Sequence, residues 1–412
     1  MSSDALVVGI DVGTSGVRCV AMDSSGSVRA QSSVKMSDHR ADERAPATWW
    51  RVTETSLDGL LAGIDAKSVR AIAVDGTSGT VLPVDATGAP LANALMYSDP
   101  VMNDRILASI SSNAPASSAA RGATSGLAKA LFFSNLEGFS RALHQADWIA
   151  GKLSGCFDLS DANNCLKTGY DPVTQQWPDW ISATGMDLNR LPNVVPPGSL
   201  FGKISVDVAK RFGLSSESIV VAGTTDGCAS FLATGASDIG DGVSALGSSL
   251  TLKVLSDKPI SAPQFGIYSH RIGDKWLAGG ASNTGGKVLA KHFSVRQIIE
   301  LSKRINPETD TGLNYYPLVS QGERFPIADP AMNPKMLPRP SDDAEYLKAI
   351  FEGIAMIEAL GYRHLVELGC APLRSVRRRL RDIGVGAGGA DVPGAVGGDT
   401  VAALGPGQEG AT

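Results

Sequence analysis

Three aspartates in this chain each end or follow an apolar, strand-like run and stand beside glycine and small hydroxyl residues. Asp11 lies in Val7-Val8-Gly9-Ile10-Asp11-Val12-Gly13-Thr14-Ser15-Gly16. Asp75 lies in Ala71-Ile72-Ala73-Val74-Asp75-Gly76-Thr77-Ser78-Gly79-Thr80. Asp226 follows Ile219-Val220-Val221-Ala222-Gly223-Thr224-Thr225 and precedes Gly227. A carboxylate at a strand's carboxyl end can hold Mg²⁺ directly or through water, and we read Asp11 so. Gly13 and Gly16 permit positive φ and a close approach of ligand to backbone. Thr14, Ser15 and the N–H groups of the turn could cradle phosphate oxygens. Each feature has a plainer alternative: an ordinary bulged hairpin for the first stretch, a helix N-cap for Asp226.

These residues need strands to carry them. Ala5 to Ile10 has the length and β-branched content of a core strand, and Val17 to Met22 resumes the pattern after the turn. The stretch from Ala71 to Asp85 echoes it: apolar run, Asp, Gly-Thr-Ser-Gly, apolar run, then an Asp three residues before a glycine (Asp23 and Gly26; Asp85 and Gly88). The echo predicts strand–turn–strand units whose carboxyl ends face one site, the place where open α/β sheets bind ligands. A further unit, Ser244 to Lys253, puts Gly247-Ser248-Ser249 between apolar residues, without the aspartate. Trp276 to Gly286 reads as a strand entering a double-glycine loop at Gly279-Gly280, then a helix from Val288 whose N–H groups suit anions. The alternative is a tight loop that needs small residues.

The helices are spaced between these units. Pro46 to Leu61 is expected to be helical with Thr48 as N-cap. His144 to Ile149 lies on a helical stretch ended by Gly151 and Gly155, and Cys228 to Thr234 on another. Ser341 to Gly369 reads as one long helix with Ser341 as N-cap, a stripe of Leu347, Ile350, Phe351, Ile354 and Ile357, and Gly369 just past its end. The aromatics around Tyr170, Trp177 and Trp180 either stack on sugar faces or pack loops onto the domain. Gly235 to Gly242, small and polar, suits a domain boundary.

With 412 residues, 43% apolar and 19% charged, the composition is that of a globular protein of two or three domains. A net charge of −5 argues against nucleic acid or an anionic membrane as partner. Five cysteines, with no CxxC pair, read as reduced thiols in a cytoplasmic protein. No run of apolar residues reaches the length of a membrane span, and the histidines lack metal-ligand spacing. Oligomeric state is not legible. Asp382 to Thr412, rich in glycine and without aromatics, is expected to be disordered.

Taken together, the chain resembles the FGGY carbohydrate kinases, and within them the D-ribulose or pentulose kinase (xylulokinase-like) subgroup. The resemblance rests on the stretches at 9–16, 75–80, 223–226 and 244–249, with Gly266-Ile267-Tyr268-Ser269-His270, Gly279-Gly280-Ala281-Ser282-Asn283 and Gly322 to Pro330, all in one order. It implies an α/β fold of two ribonuclease-H-like domains, as in sugar kinases, actin and heat-shock chaperone ATPases, around a central cleft. The expected divisions are 1–234 for the sugar and phosphate side, 235–373 for the nucleotide side, incomplete, and 374–412 for an Arg- then Gly-rich tail expected to be disordered. It implies Asp226 as general base toward the sugar's terminal hydroxyl, and Asp11 as the residue that positions Mg²⁺ and phosphates. Gly13, Thr14, Ser15 and Gly16 would lie beside the γ-phosphate of ATP, Ser78 and Asp75 on the sugar side, and Gly247, Ser248 and Ser249 in a second phosphate turn. Gly279 and Gly280 are grouped with the nucleotide contacts. D-ribulose is the first sugar expected, with another pentulose as alternative. The family's adenine loop and closing helix have no counterpart after Leu373-Arg374-Ser375-Val376, so a frame change or truncation near Val376 is expected. A relic that binds sugar or nucleotide without turnover is therefore the competing reading, ahead of an actin- or chaperone-like ATPase.

Overall fold

A computed structural model describes residues 5–39 and 42–380. The tail expected to be disordered, from Asp382 on, lies outside them. The chain divides into two compact units. One runs to Ser230 and takes back His270–Asp274; the other takes Phe231–Ser269 and resumes at Lys275. The division thus precedes the expected boundary by a few residues, and it falls within a helix rather than in the Gly235–Gly242 stretch.

The first unit is built on a six-stranded sheet. Strands β1 (Leu6–Val12), β2 (Gly16–Asp23) and β3 (Val28–Lys35) form an antiparallel meander. β4 (Val69–Gly76) then pairs parallel with β1. β5 (Val81–Val84) leaves this sheet and pairs with β6 (Arg141–His144), so the second echo is not a hairpin. β7 (Leu159–Asp161) and β8 (Asn193–Val195) make a separate parallel pair. β9 (Leu200–Lys203) and β10 (Ile219–Thr225) complete the main sheet, with strand order β3-β2-β1-β4-β10-β9. β1 is central but alternates: Leu6, Val8, Ile10 and Val12 are buried, whereas Val7 is exposed.

Helix α1 (Pro46–Leu61) covers one face of this sheet through Trp49, Val52, Leu57 and Leu60, all at most 1% exposed. Each fully buried aliphatic side chain here contributes about 1.5–3 kcal/mol. The N-cap is Ala45, not Thr48; Pro46, whose missing N–H would have no intrahelical partner at this position, opens the helix, and Thr48 lies in its buried first turn. The remaining helices of the unit are α2 (Asp104–Asn113), α3 (Gly126–Phe133), α4 (Gln145–Ser154), α5 (Ala162–Cys165), α6 (Trp180–Ala183), α7 (Val206–Phe212) and α8 (Asp226–Leu232), the last continuing into the second unit. Gly151 does not end α4. It lies inside the helix because the Phe157 ring packs where a Cβ would stand, and Gly155, at φ 82°, forms the cap. Trp177 and Tyr170 meet in a T-shaped pair with ring centroids 5.3 Å apart, Trp177 donates to Pro192 O, and Trp180 lies against Gly169, so these aromatics pack loops.

The echoed Asp-x-x-Gly segments are two copies of one turn. Asp23 Oδ1 accepts from Ser25 N and Ser27 N, and Asp85 Oδ1 from Thr87 N and Ala89 N; Gly26 and Gly88 follow at φ 81° and 84°.

In the second unit, β11 (Asp241–Leu246), β12 (Leu250–Ser256), β14 (Lys275–Ser282) and β15 (Ser375–Leu380) run in the order β14-β12-β11-β15, while β13 (His270–Ile272) belongs to the first unit. α9 (Gly286–His292), α10 (Val295–Ser302) and α11 (Asp343–Glu367) supply its helices. α11 buries Leu347, Ile350, Ile354 and Ile357. Its N-cap is Asp342, accepting from Ala344 N, rather than Ser341, and Gly369 takes φ 105° beyond its end. The arginine-rich segment expected in the tail is partly a strand: Ser375 to Leu380 pair parallel with Asp241 to Leu246.

Candidate functional site

Sheet register brings the three aspartates together. Asp11 and Asp75 are direct partners across β1 and β4, and Thr224, two residues before Asp226, partners Asp75 across β4 and β10. All three strands run the same way, so their acids share one end of the sheet. Glycine at 223 makes this possible. β10 bulges there against β4, and a Cβ would stand 1.7 Å from Val74 O.

The electrostatics follow from this crowding. Burial first, then the charges of Asp11 and Asp226, push the Asp75 carboxyl up to about 9, and a hydrogen bond to Asp11 adds to the shift. Asp75 therefore holds its proton at neutral pH and donates to Asp11. Its Oδ1 is enclosed without a partner among the described residues. Asp11 also faces Arg18, its β2 register partner, at 3.5 Å. Asp226 opens α8, and its Oδ1 accepts from the adjacent Gly227 N at 2.6 Å.

A linkage prediction follows. Unfolded, Asp75 loses its proton near pH 4; folded, it keeps it to about 9, so the native state binds the extra proton and stability falls as pH rises through this window. Asp75→Asn removes the titration. In metal-free buffer the variant should gain stability over the wild type between about pH 5 and about pH 8, read from urea midpoints. A difference that is flat with pH would refute the assignment.

The first turn separates its glycines by task. Gly16 is required by packing, since a Cβ would stand 2.4 Å from Val34 O. Gly13 has open space around it, with nothing nearer than 3.5 Å, but its N–H closes the turn onto Gly16 O at 3.0 Å. Thr14 and Ser15 are exposed at the tip. Ser78 sits in the turn after β4 with its Oγ enclosed and unpartnered. That turn is tied down by Lys129, which is fully buried and donates to Gly79 O and Met96 O, both at 2.7 Å. Burial lowers its ammonium to about 8, opposed by Asp99 and aided by Lys167. Asn163 fastens β10, donating to Thr224 Oγ1 at 3.0 Å and exchanging bonds with the Arg271 backbone.

In the second unit, Gly247-Ser248-Ser249 forms the tight link between β11 and β12, closed by Gly247 N to Ser249 O at 3.2 Å. Gly279 and Gly280 are not in a loop. Both lie inside β14, where a Cβ would strike Leu252 O at 2.2 Å and the Phe325 ring at 2.5 Å, so sheet and helix-side packing require them. The turn comes later, at Asn283 to Gly285, held by buried Glu323, which accepts from Ser282 Oγ and Asn283 N. The N–H groups of Gly286 and Lys287 at the start of α9 donate to Gly247 O and Ser248 O, which takes them from the anion-binding role expected of that helix start.

Among the described residues, no three of His, Cys, Asp and Glu are grouped to hold a metal ion by themselves. Asp11, a partly exposed carboxylate at the strand end, fits Mg²⁺, which is bound by one or two carboxylates with phosphates and water supplying the rest. The five cysteines are free thiols, and no described helix is long and apolar enough to cross a membrane.

Sequence reasoning missed Arg18, Lys129, Asn163 and Gln145. Arg18 was countable from the hairpin, since pairing Val12 with Val17 sets Arg18 opposite Asp11. The others reach the site from distant segments and leave no local pattern.

Residues 6–116 match the N-terminal domain of the FGGY family of carbohydrate kinases. The chain is 24% identical over 384 residues to a xylulose kinase of Klebsiella pneumoniae, covering 86% of this chain and 78% of that one. A xylulose kinase of Escherichia coli is 24% identical over 291 residues, 66% of this chain and 59% of that one. Among solved structures, a xylulose kinase from Rhodospirillum rubrum superposes with a TM-score of 0.76 at 22% identity, covering 90% of this chain and 80% of that one. Glycerol kinase from Plasmodium falciparum with ADP gives 0.73 at 17% identity, covering 92% and 82%. These likenesses give the fold as two actin-like α/β domains. With its acid-tipped parallel strands, and with residues 6–116 matching that N-terminal domain, the chain is similar to the FGGY family of carbohydrate kinases.

Proposed function

We propose that this kinase transfers the γ-phosphoryl group of ATP to the terminal hydroxyl of a ketopentose, with Asp226 as general base. The observation that carries the reading is the convergence of Asp11, Asp75 and Asp226 at one end of the first unit's sheet. The sugar oxygen forms the bond to Pγ, the bond from Pγ to the bridging oxygen breaks, ADP departs, and the hydroxyl proton passes to Asp226. A carboxylate base acts as charge develops on the attacking oxygen. Asp11 would hold Mg²⁺, whose contribution is to neutralise charge on the phosphates. Thr14 and Ser15, exposed beside Asp11, donate toward the transferred group, and Ser78 and Asp75 line the sugar side. Gly247, Ser248 and Ser249 remain the candidate second phosphate turn.

D-ribulose is the first substrate, on the resemblance to the D-ribulose kinase subgroup. The xylulose kinase relatives favour D-xylulose as the second reading. The two differ in the configuration of one hydroxyl, and a site built to hydrogen-bond that group separates them by energy alone. Initial rates of ADP formation with D-ribulose, D-xylulose, L-ribulose and glycerol decide the matter. The reading predicts a kcat/KM for one ketopentose at least about tenfold above glycerol; a preference for glycerol would contradict it.

A further inference from the structure

Gln145, the first residue of α4, is fully buried. Its orientation is fixed by its neighbours. Gln145 Oε1 accepts from the backbone N–H of Thr77 at 3.1 Å and from Thr77 Oγ1 at 2.8 Å. A backbone N–H only donates, so the atom facing it is the carbonyl oxygen and Nε2 must be the other end. The hydroxyls upstream take one direction as well. Tyr97 N donates to Thr80 Oγ1 at 3.0 Å, and Thr80 Oγ1 lies 2.6 Å from Thr77 Oγ1. Thr77 gives its proton to Gln145, so Thr80 gives its own to Thr77, and the chain of donors ends on the amide.

The amide's own donor is left over. Nε2 is enclosed without a partner among the described residues. Two other enclosed, unpartnered atoms belong to the same strand end, Asp75 Oδ1 and Ser78 Oγ. Gly76 lies between them in sequence, and a Cβ on it would reach Gln145 Oε1 at 3.3 Å. Buried donors and acceptors are almost always satisfied in a working protein, so three orphans around one turn point to a polar ligand.

We propose that Gln145 is a specificity-determining residue whose Nε2 donates to an oxygen of the sugar, a hydroxyl or the keto group, beside Ser78. This rests on the sugar kinase reading above. The held Oε1 keeps the amide from rotating, so the site presents a donor at a fixed position and favours the sugar with an oxygen there.

The test compares Gln145→Glu and Gln145→Met with the full-length wild type. Glu keeps an acceptor for Thr77 and removes the amide donors; Met removes both. Both should raise the KM for the preferred ketopentose by about 10- to 100-fold, with the KM for ATP within about threefold. Against a set of singly deoxygenated analogues, the variant and wild type should differ little for the analogue that lacks the contacted oxygen. A purely structural role would instead lower Tm and weaken all analogues equally. Unchanged sugar KM in Gln145→Glu, or a uniform loss across analogues, overturns the inference alone. A folded wild type with no sugar-dependent turnover overturns the kinase reading and this inference with it. Should Gln145→Met unfold, Gln145→Glu, which retains the Thr77 acceptor, carries the test.

Discussion

Asp226→Asn should lower kcat for sugar phosphorylation by about 10²- to 10⁴-fold, the range that a positioned general base supplies. The side chain keeps its size, and an amide oxygen can still accept from Gly227 N, the contact that Oδ1 makes at 2.6 Å. The KM values for sugar and ATP should therefore change only a few-fold. Stability should hold or rise, because Asp226 is one of the charges that crowd Asp75. Removing it also lets the Asp75 carboxyl move back down toward its ordinary range. A variant whose turnover is within about threefold of wild type would take Asp226 out of the proton transfer.

Gly223→Ala should be the most disruptive single methyl in the first unit. Its Cβ would stand 1.7 Å from Val74 O and 2.6 Å from Val74 C, both backbone atoms of the neighbouring strand. Neither can rotate away, so β10 must move from β4. We expect a loss of about 3 kcal/mol or more, toward the upper end for overpacked sites, and a Tm lower by roughly 6–12 °C for a unit of this size. Of the strands that would separate, β4 carries Asp75 and β10 leads directly into Asp226, and a shift of about 1 Å at reacting groups can lower the rate by about 10²-fold. Activity should fall further than stability alone explains when assayed well below Tm. Gly9→Ala is the control: a Cβ there meets nothing within 4 Å, and alanine in a strand is neutral or better. If the two substitutions behaved alike by thermal melt, the close approach at Gly223 would be wrong.

Much of the site was legible because it is local. Asp11, Asp75 and Asp226 each follow a run of β-branched residues, and strands of like pattern in an α/β chain align their carboxyl ends. The register that pairs Asp11 with Asp75 needed the sheet order, which no local pattern contains. The double glycine at Gly279-Gly280 misled for a physical reason. Glycine marks both loops and close packing, and here Leu252 O and the Phe325 ring fill the space of the absent side chains. The β5 segment was misjudged similarly. Its apolar run is a strand, but its partner is β6, some sixty residues away, instead of the strand before it. Lys129 and Gln145 could not be found from pattern. A buried lysine or glutamine differs from a surface one only through partners such as Gly79 O and Thr77 N, which the fold supplies.

The most direct test of the account is ADP release by the purified full-length chain with Mg-ATP, with and without D-ribulose or D-xylulose. The account predicts release that depends on the ketopentose and is lost in Asp226→Asn. Release of ADP at the same rate without sugar, or none with any ketopentose from a folded protein that binds ATP, would contradict it.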